Sequence, residues 1–260
     1  MYELMIKYIK IVFLFSFCTV IVNAYEVKNI AHAVDVAGKQ RMFTQRMLKN
    51  YVMIGMKNNF ANPTSDLSKI MKDFEEHLDG LITFNKEANT KASLLKVKKL
   101  WIPIKSELNK SPQKSKAGEM QEALENLLAK ANEATFSFAK QSKNSSGEII
   151  NISGRQRMLS QRMASLYMLK VWGVNDPKFK DKMEKAMNLF KTSAKKLMTS
   201  TLNTPNIDSL LKNVNKSFMF FEMMNKSKSK FIPSLIYKKS DDILKDMNTV
   251  TGLYVIEENG

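Results

Sequence analysis

Cysteine is almost absent from the sequence, whose 260 residues include only one, Cys18. That cysteine lies in an N-terminal segment where two lysines precede an apolar run over residues 11–22. The run is short for a membrane span, and Ala24 suits a signal-peptide cleavage site. We therefore predict a signal peptide over 1–24, with an uncleaved anchor as the alternative. Cleavage would leave a mature chain without cysteine, which suits an oxidising periplasmic or extracellular compartment.

Residue types that carry catalysis or bind metals are also scarce. The chain has two histidines, His32 and His77, and nine glycines. It shows no Ser-His-Asp set, no glycine-rich phosphate loop and no Cys/His cluster, and its acidic residues are dispersed along lysine-rich stretches. We therefore expect no enzyme activity, no metal site and no cofactor. No later apolar run approaches the length of a membrane helix, so we expect any signal to pass through a partner protein.

Arginine is rare as well, and its placement marks the main feature of the sequence. The chain has 41 basic residues and a net charge of +16, yet only five residues are arginine. All five lie in a ten-residue motif, GKQRMFTQRM at 38–47, which returns as GRQRMLSQRM at 154–163. Lysine suffices where a solvated charge is enough, whereas the planar arginine fork can hold an oxyanion through two parallel hydrogen bonds. The five are Arg41, Arg46, Arg155, Arg157 and Arg162.

The similarity between the two halves extends beyond the motif. The same offset that relates the motifs takes Asn132 to Asn248. Each half shows four stretches with apolar residues at helical spacing, separated by short polar segments, although Pro103 is expected to kink or end the third helix. Four helices with short connections give an up-down-up-down bundle. We therefore predict an all-α fold of two tandem four-helix bundles, at 25–144 and 145–260, after the signal peptide.

The first helix of repeat 1 has an unusual apolar pattern. Its apolar residues lie on two opposite faces, so one face is predicted to pack in its own bundle and the other against a second helix. A glycine inside a helix costs about 1 kcal/mol relative to alanine. Gly38 therefore suggests the close approach of a neighbouring helix or a ligand.

The junction between the repeats determines how the bundles are arranged. Asn144-Ser145-Ser146-Gly147 is a turn-forming sequence, and Gly147 can adopt a left-handed conformation. A reversal there would place the bundles side by side as a pseudo-dimer, with Gly38 facing Gly154. A continuous helix through the junction would instead stack them end to end. We favour the side-by-side arrangement.

The motif, placed on a first helix, resembles that of the PilJ-type sensor domain, which stands at the N-terminus of type IV pilus chemotaxis transducers. That domain is related to the periplasmic domain of nitrate/nitrite sensor kinases. The resemblance implies a periplasmic four-helix bundle whose first helix carries an anion-binding arginine where two first helices meet across a dimer. The matching residues here are Arg41 and Arg157. Two domains in one chain, without the transmembrane helix and output domain of the family, imply a built-in pseudo-dimer that signals through another protein.

The motif supplies the candidate ligand-binding residues, with a structural role as the alternative. Arginines can form ion pairs between helices, but neither motif contains Asp or Glu, so the acids would have to come from elsewhere in the fold. Glutamines can donate to an anion or satisfy backbone carbonyls, and the sequence leaves both roles open for Gln40 and Gln156 as well. The candidates are Arg41, Arg157, Arg46, Arg162, Gln45, Gln161, Gly38 and Gly154.

These observations predict a sensor-type module that binds a small oxyanion. Nitrate and nitrite are the leading ligands because of the family resemblance, and the expected protein partner is a membrane receptor or kinase. Nucleic acid is not expected as a partner, since the predicted compartment lies outside the cytoplasm. The alternative is a structural or adaptor protein whose bundles dock on a membrane receptor and whose motif only packs.

Overall fold

The computed structural model describes residues 25–142, 146–226 and 232–259, and every regular element in these ranges is a helix. The predicted all-α fold is therefore confirmed. The predicted signal peptide and residues 143–145 of the predicted junction lie outside the described residues. The helices are α1 (Ile30–Gly55), α2 (Pro63–Phe84), α3 (Ala88–Leu108), α4 (Ala117–Gln141), α5 (Ser146–Trp172), α6 (Lys178–Met198), α7 (Pro205–Lys226) and α8 (Pro233–Asn259), with a short 3-10 turn at Lys114–Lys116.

Helices α1–α4 form one four-helix bundle and α5–α8 form a second. Local sequence signals fix several helix starts. The Asn29 side chain caps α1 by accepting a hydrogen bond from the backbone N–H of His32 at 2.8 Å. Asn62 caps α2, with Pro63 at its first position, where a missing N–H costs nothing. None of the helices in the described ranges is both long and apolar enough to cross a membrane.

Two local predictions need correction. Of the two expectations for Pro103, an end of α3 is wrong, since the helix continues to Leu108 with Trp101, Ile104 and Leu108 buried on the side that faces the bundle. Gly147 is not left-handed but lies in the first turn of α5. Its lack of a side chain is needed for another reason, since an added Cβ would lie 2.6 Å from the Cβ of Ser142 just after α4.

The bundles lie side by side, with α1 and α5 packed against each other along their length. The two helices run parallel, since they are in contact both in their N-terminal halves and at their C-terminal ends. In the N-terminal halves, a Cβ added to Gly38 would lie 3.9 Å from the Cα of Gly154. At the ends, the Trp172 ring lies on Gly55. Of the two arrangements that the sequence allowed, the structure therefore has the favoured one.

Helix α1 is buried on both faces, as its two apolar stripes predicted. Val34 and Val52 on one face are 1% and 0% exposed, and Val36 and Met47 on the other are fully buried. The helix contacts α2 and α4 of its own repeat and α5 and α8 of the other. Most of the motif residues on α1 therefore lie inside the molecule, whereas Lys39 and Arg46 remain partly exposed.

Candidate functional site

Two arginines meet where α1 and α5 cross. A Cβ atom added to Gly38 would lie 3.2 Å from Nη2 of Arg157 and 3.4 Å from Nη2 of Arg41. A Cβ added to Gly154 would lie 2.9 Å and 3.5 Å from the same two atoms. The guanidinium groups therefore pack against the two glycines, in the space that the missing side chains leave. Both arginine residues are 0% exposed, so this meeting point is sealed from bulk solvent.

An asparagine on the fourth helix of each repeat positions the arginine of that repeat. Nη1 of Arg41 donates to Oδ1 of Asn132 on α4 at 2.9 Å, and Nη1 of Arg157 donates to Oδ1 of Asn248 on α8 at 3.2 Å. The spacing along the chain is 91 residues in both repeats. These equivalent bonds show that the site has approximate two-fold symmetry.

Each arginine also reaches across to the other repeat, and here the symmetry fails. Nη2 of Arg41 donates to the backbone carbonyl of Asn151 at 3.2 Å, and Nη2 of Arg157 donates to that of Asp35 at 3.3 Å. Asp35 and Asn151 occupy equivalent positions, three residues before the two glycines. The Asp35 carboxylate forms an ion pair with Nη1 of Arg157 at 2.8 Å and with Nζ of Lys39 at 2.9 Å. Asn151 offers Arg41 no such charge.

Arg41 is therefore a buried cation without a carboxylate within ion-pair distance among the described residues. Burial, followed by the charges of Arg155 and Arg157, lowers the pKa of Arg41 to about 9. The guanidinium still carries its charge at neutral pH. The buried Nε atoms of Arg41 and Arg157 also find no hydrogen-bond acceptor in the described part of the chain. The site holds both excess positive charge and unused donors.

The ionisation state of Asp35 determines the charge balance of the site. Burial alone would raise the pKa of Asp35, but the neighbouring Arg157 and Lys39 outweigh burial and leave it lower than usual. Asp35 is therefore ionised at neutral pH. It neutralises part of the charge on one side of the site only.

The second arginine of each motif lies outside this meeting point and is paired with an acid from another helix. Arg46 donates from Nε to Oδ2 of Asp66 on α2 at 3.0 Å. Arg162 donates from Nη2 to Oε2 of Glu125 on α4, in the other repeat, at 2.6 Å. Both acids lie on other helices, as an ion pair here requires, because neither motif contains Asp or Glu.

The motif glutamines also contact protein groups. Nε2 of Gln45 donates to Oε1 of Glu125 at 3.3 Å, and Nε2 of Gln161 donates to the carbonyl of Ser240 at 2.9 Å. Gln40 and Gln156 donate to backbone carbonyls of α2 and α6, at 3.2 Å and 3.0 Å. Of the eight candidate residues, the structure thus brings together Gly38, Gly154, Arg41 and Arg157.

Sequence analysis missed four residues of the site. A usable signal existed for Asn132 and Asn248, because an asparagine is retained in both repeats at equivalent positions of the fourth helix. For Asp35 and Asn151 the signal was the opposite, a change of charge between equivalent positions beside the motif. Neither signal shows by itself which arginine would be the partner.

A second buried polar cluster joins the repeats about two helical turns along α1. Lys49 is 0% exposed, and its Nζ donates to Oγ of Ser240 at 3.2 Å and to Oδ1 of Asp241 at 2.6 Å. The same Nζ lies 3.7 Å from the centre of the Tyr237 ring. Burial lowers the pKa of Lys49 to about 8, although Asp241 acts in the opposite direction. This cluster links α1 to α8 and has no equivalent in the other half, where Ser165 replaces the lysine.

The sequence profile of one known family covers most of the chain. The family, PilJ, is described as the N-terminal part of the type IV pili methyl-accepting chemotaxis transducer, and it matches residues 24–133 and 138–217. The chain belongs to the PilJ family. The two arginine motifs lie in different matched segments, one in each repeat. As a PilJ protein, the chain is a sensor or signalling module of the chemotaxis-transducer type. No curated protein and no solved structure matches it.

Proposed function

We propose that this PilJ protein is a non-enzymatic sensor module that binds one small oxyanion between Arg41 and Arg157. The proposed ligands are nitrate and nitrite, small planar or bent anions that a guanidinium fork can hold with parallel hydrogen bonds. We further propose that the chain acts in the periplasm or outside the cell. Its signal would pass to a membrane receptor or kinase.

The observation that carries this proposal is the unbalanced charge of Arg41. Proteins seldom bury a cation without a partner, because removing it from water costs several kcal/mol. Within the described residues the hydrogen bonds of Arg41 go to neutral acceptors, Asn132 and Asn151. An anion is a stronger acceptor than a carbonyl, since charge-assisted hydrogen bonds are about twice as strong as neutral ones.

The position of the site supports a signalling role. It lies between α1 and α5, so a ligand there contacts both repeats at once. A ligand that binds one relative placement of the helices more tightly than another shifts the population toward that placement. A small shift between α1 and α5 would move the two bundles relative to each other and change the surface offered to a partner.

The experiment is a thermal-shift screen of the mature chain across sodium salts of small anions, followed by calorimetry. A ligand at 100 times its dissociation constant adds about 2.7 kcal/mol to the free energy of unfolding, which gives a clear shift of the melting temperature. Arg41→Lys and Arg157→Lys keep the charge but lose the fork, and each should weaken binding by about 1.5–3 kcal/mol.

Arg46→Lys is the matched control, because Arg46 belongs to the same motif but pairs with Asp66. It should change stability and leave anion affinity near the wild-type value. If no anion shifts the melting temperature, or if both site variants bind like wild type, the arginines have a structural role. That result would support the alternative of a structural or adaptor protein.

A further inference from the structure

The two halves of the arginine site differ in charge, although the repeats that build them are equivalent. On one side, Arg157 and Lys39 both contact the carboxylate of Asp35. On the other side, Arg41 contacts the backbone carbonyl of Asn151, whose side chain is neutral. The buried arginine on the first side therefore has a carboxylate partner, and the buried arginine on the second side has none among the described residues.

The carboxylate on the first side forms a close ion pair with its arginine, although Oδ1 of Asp35 is not aligned to accept a hydrogen bond. Oδ1 of Asp35 lies 2.8 Å from Nη1 of Arg157, and the Asp35 residue is 6% exposed. Nothing equivalent contacts Arg41 among the described residues. The oxygen Oδ1 of Asn151 is buried without a hydrogen-bond donor, so turning this amide to point its NH₂ group at an anion breaks no bond at that oxygen.

We propose that Asp35 is a built-in anion that fills the Arg157 side of the site and restricts the ligand to one monoanion on the Asn151 side. This inference rests on the proposed function and adds to it the charge, number and position of the ligand. Asp35 is thus a specificity-determining residue that contacts Arg157 rather than the ligand.

The selectivity follows from the charges of the three central groups. The three buried groups Arg41, Arg157 and Asp35 together carry one positive charge, which a monoanion neutralises, whereas the side chain of Lys39 is 25% exposed and its charge is screened by water. A dianion such as sulfate would leave one negative charge buried near Asp35, and like charges repel strongly where little water screens them. A second monoanion would meet the same obstacle. One monoanion per chain is the outcome that leaves no buried charge unbalanced.

The test exchanges the two residues. Asp35→Asn, Asn151→Asp and the double variant Asp35→Asn/Asn151→Asp are compared with the wild-type chain, using sodium nitrate and sodium sulfate at constant ionic strength. Isothermal calorimetry gives affinity and stoichiometry, and far-UV circular dichroism confirms folding. Asparagine at position 35 recreates the arrangement that Asn151 and Arg41 already have, so this variant places no foreign chemistry in the core.

The proposal expects the wild-type chain to bind one nitrate and to bind sulfate at least tenfold more weakly. Asp35→Asn should gain at least tenfold in sulfate affinity. Asn151→Asp should lose at least tenfold in nitrate affinity, since a second internal carboxylate then pairs with Arg41. The double variant should recover the wild-type preference, because it moves the carboxylate to the equivalent position. If Asp35 had only a structural role, the double variant would not recover the preference for nitrate over sulfate that the single variants lose.

Failure of the inference and failure of the proposed function give different results. If the wild type binds nitrate and the single variants keep its nitrate affinity and its nitrate-to-sulfate ratio, the role of Asp35 is overturned and the sensor function stands. If the wild type binds no anion but Asp35→Asn does, the proposed function fails and the role of Asp35 as an internal anion is upheld. If none of the four proteins binds either anion, both are overturned.

Discussion

The indole ring of Trp172, at the end of α5, lies directly on Gly55, at the end of α1. A Cβ atom added to Gly55 would come within 2.2 Å of Cη2 of that ring. This contact and the Gly38–Gly154 crossing hold the two first helices parallel. The repeats are thus joined through the helices that carry the candidate site.

Gly55→Ala is expected to destabilise the protein by about 1–3 kcal/mol, because the added methyl group overlaps the Trp172 ring and the packing must shift. Gly252→Ala is the control, since an added Cβ there meets nothing within 4 Å in α8. The control should gain up to about 1 kcal/mol from helix propensity. Urea unfolding measures both, and equal effects would contradict the Trp172–Gly55 contact.

Gly154→Ala is expected to weaken anion binding at least tenfold while leaving the helices intact. Its Cβ would lie 2.9 Å from Nη2 of Arg157, so that guanidinium group must move, and 3.5 Å from Nη2 of Arg41, which is an ordinary contact. The helix itself gains from alanine, which separates the effect on binding from a loss of folding. Nitrate calorimetry together with a thermal melt checks this, and unchanged affinity would place the anion elsewhere.

Asp66→Asn is expected to destabilise the protein by about 3 kcal/mol, because Asp66 holds several groups at once. Its carboxylate accepts hydrogen bonds from Arg46, from Nδ2 of Asn50 at 2.6 Å and from the Tyr237 hydroxyl of the other repeat at 3.2 Å. Removing one partner of a largely buried ion pair leaves the other uncompensated.

The matched control is Asp73→Asn, whose partner is an exposed lysine one helical turn away. Pairs of that kind contribute about 0.3–0.5 kcal/mol. Denaturant unfolding of the two variants should therefore give clearly different losses. Similar losses in the free energy of unfolding would show that the Asp66 network stabilises the protein no more than a surface ion pair does.

The stability of the protein is expected to rise between about pH 8 and pH 10 because of Lys49. The pKa of Lys49 is lowered to about 8 in the folded chain, whereas an unfolded lysine has a pKa of about 10.4. In this window the unfolded chain therefore binds more protons, and raising the pH favours the folded state. Lys49→Met should flatten this part of the pH profile in urea unfolding, whereas the exposed Lys69→Met should not. Parallel profiles for wild type and Lys49→Met would exclude this origin of the slope.

The groups around Lys49 justify the choice of window. Asp241, Asp66, Arg46 and Tyr237 surround it. Burial raises the pKa of Tyr237, so it titrates above the window. The charge of Lys49 therefore changes within the window, whereas that of Tyr237 does not.

The sequence alone predicted much of the architecture. Apolar residues at helical spacing indicated four helices per repeat, and the offset between the motifs indicated the duplication. The two apolar faces of α1 predicted its central position, and Gly38 predicted the close approach of either a neighbouring helix or a ligand. These features depend on neighbours along the chain, on one helical face or on a repeated pattern, and the sequence displays all three directly.

Only the tertiary structure assigned partners to the polar residues. Arg46 and Arg162 occupy equivalent motif positions, yet one pairs with Asp66 in its own repeat and the other with Glu125 in the other repeat. Arg157 contacts Asp35, which lies 122 residues earlier in the chain. Helical periodicity shows which face of a helix is buried, but not which side chain of another helix faces it there. That choice depends on how two helices are rotated and shifted against each other, which is set by packing over the whole interface.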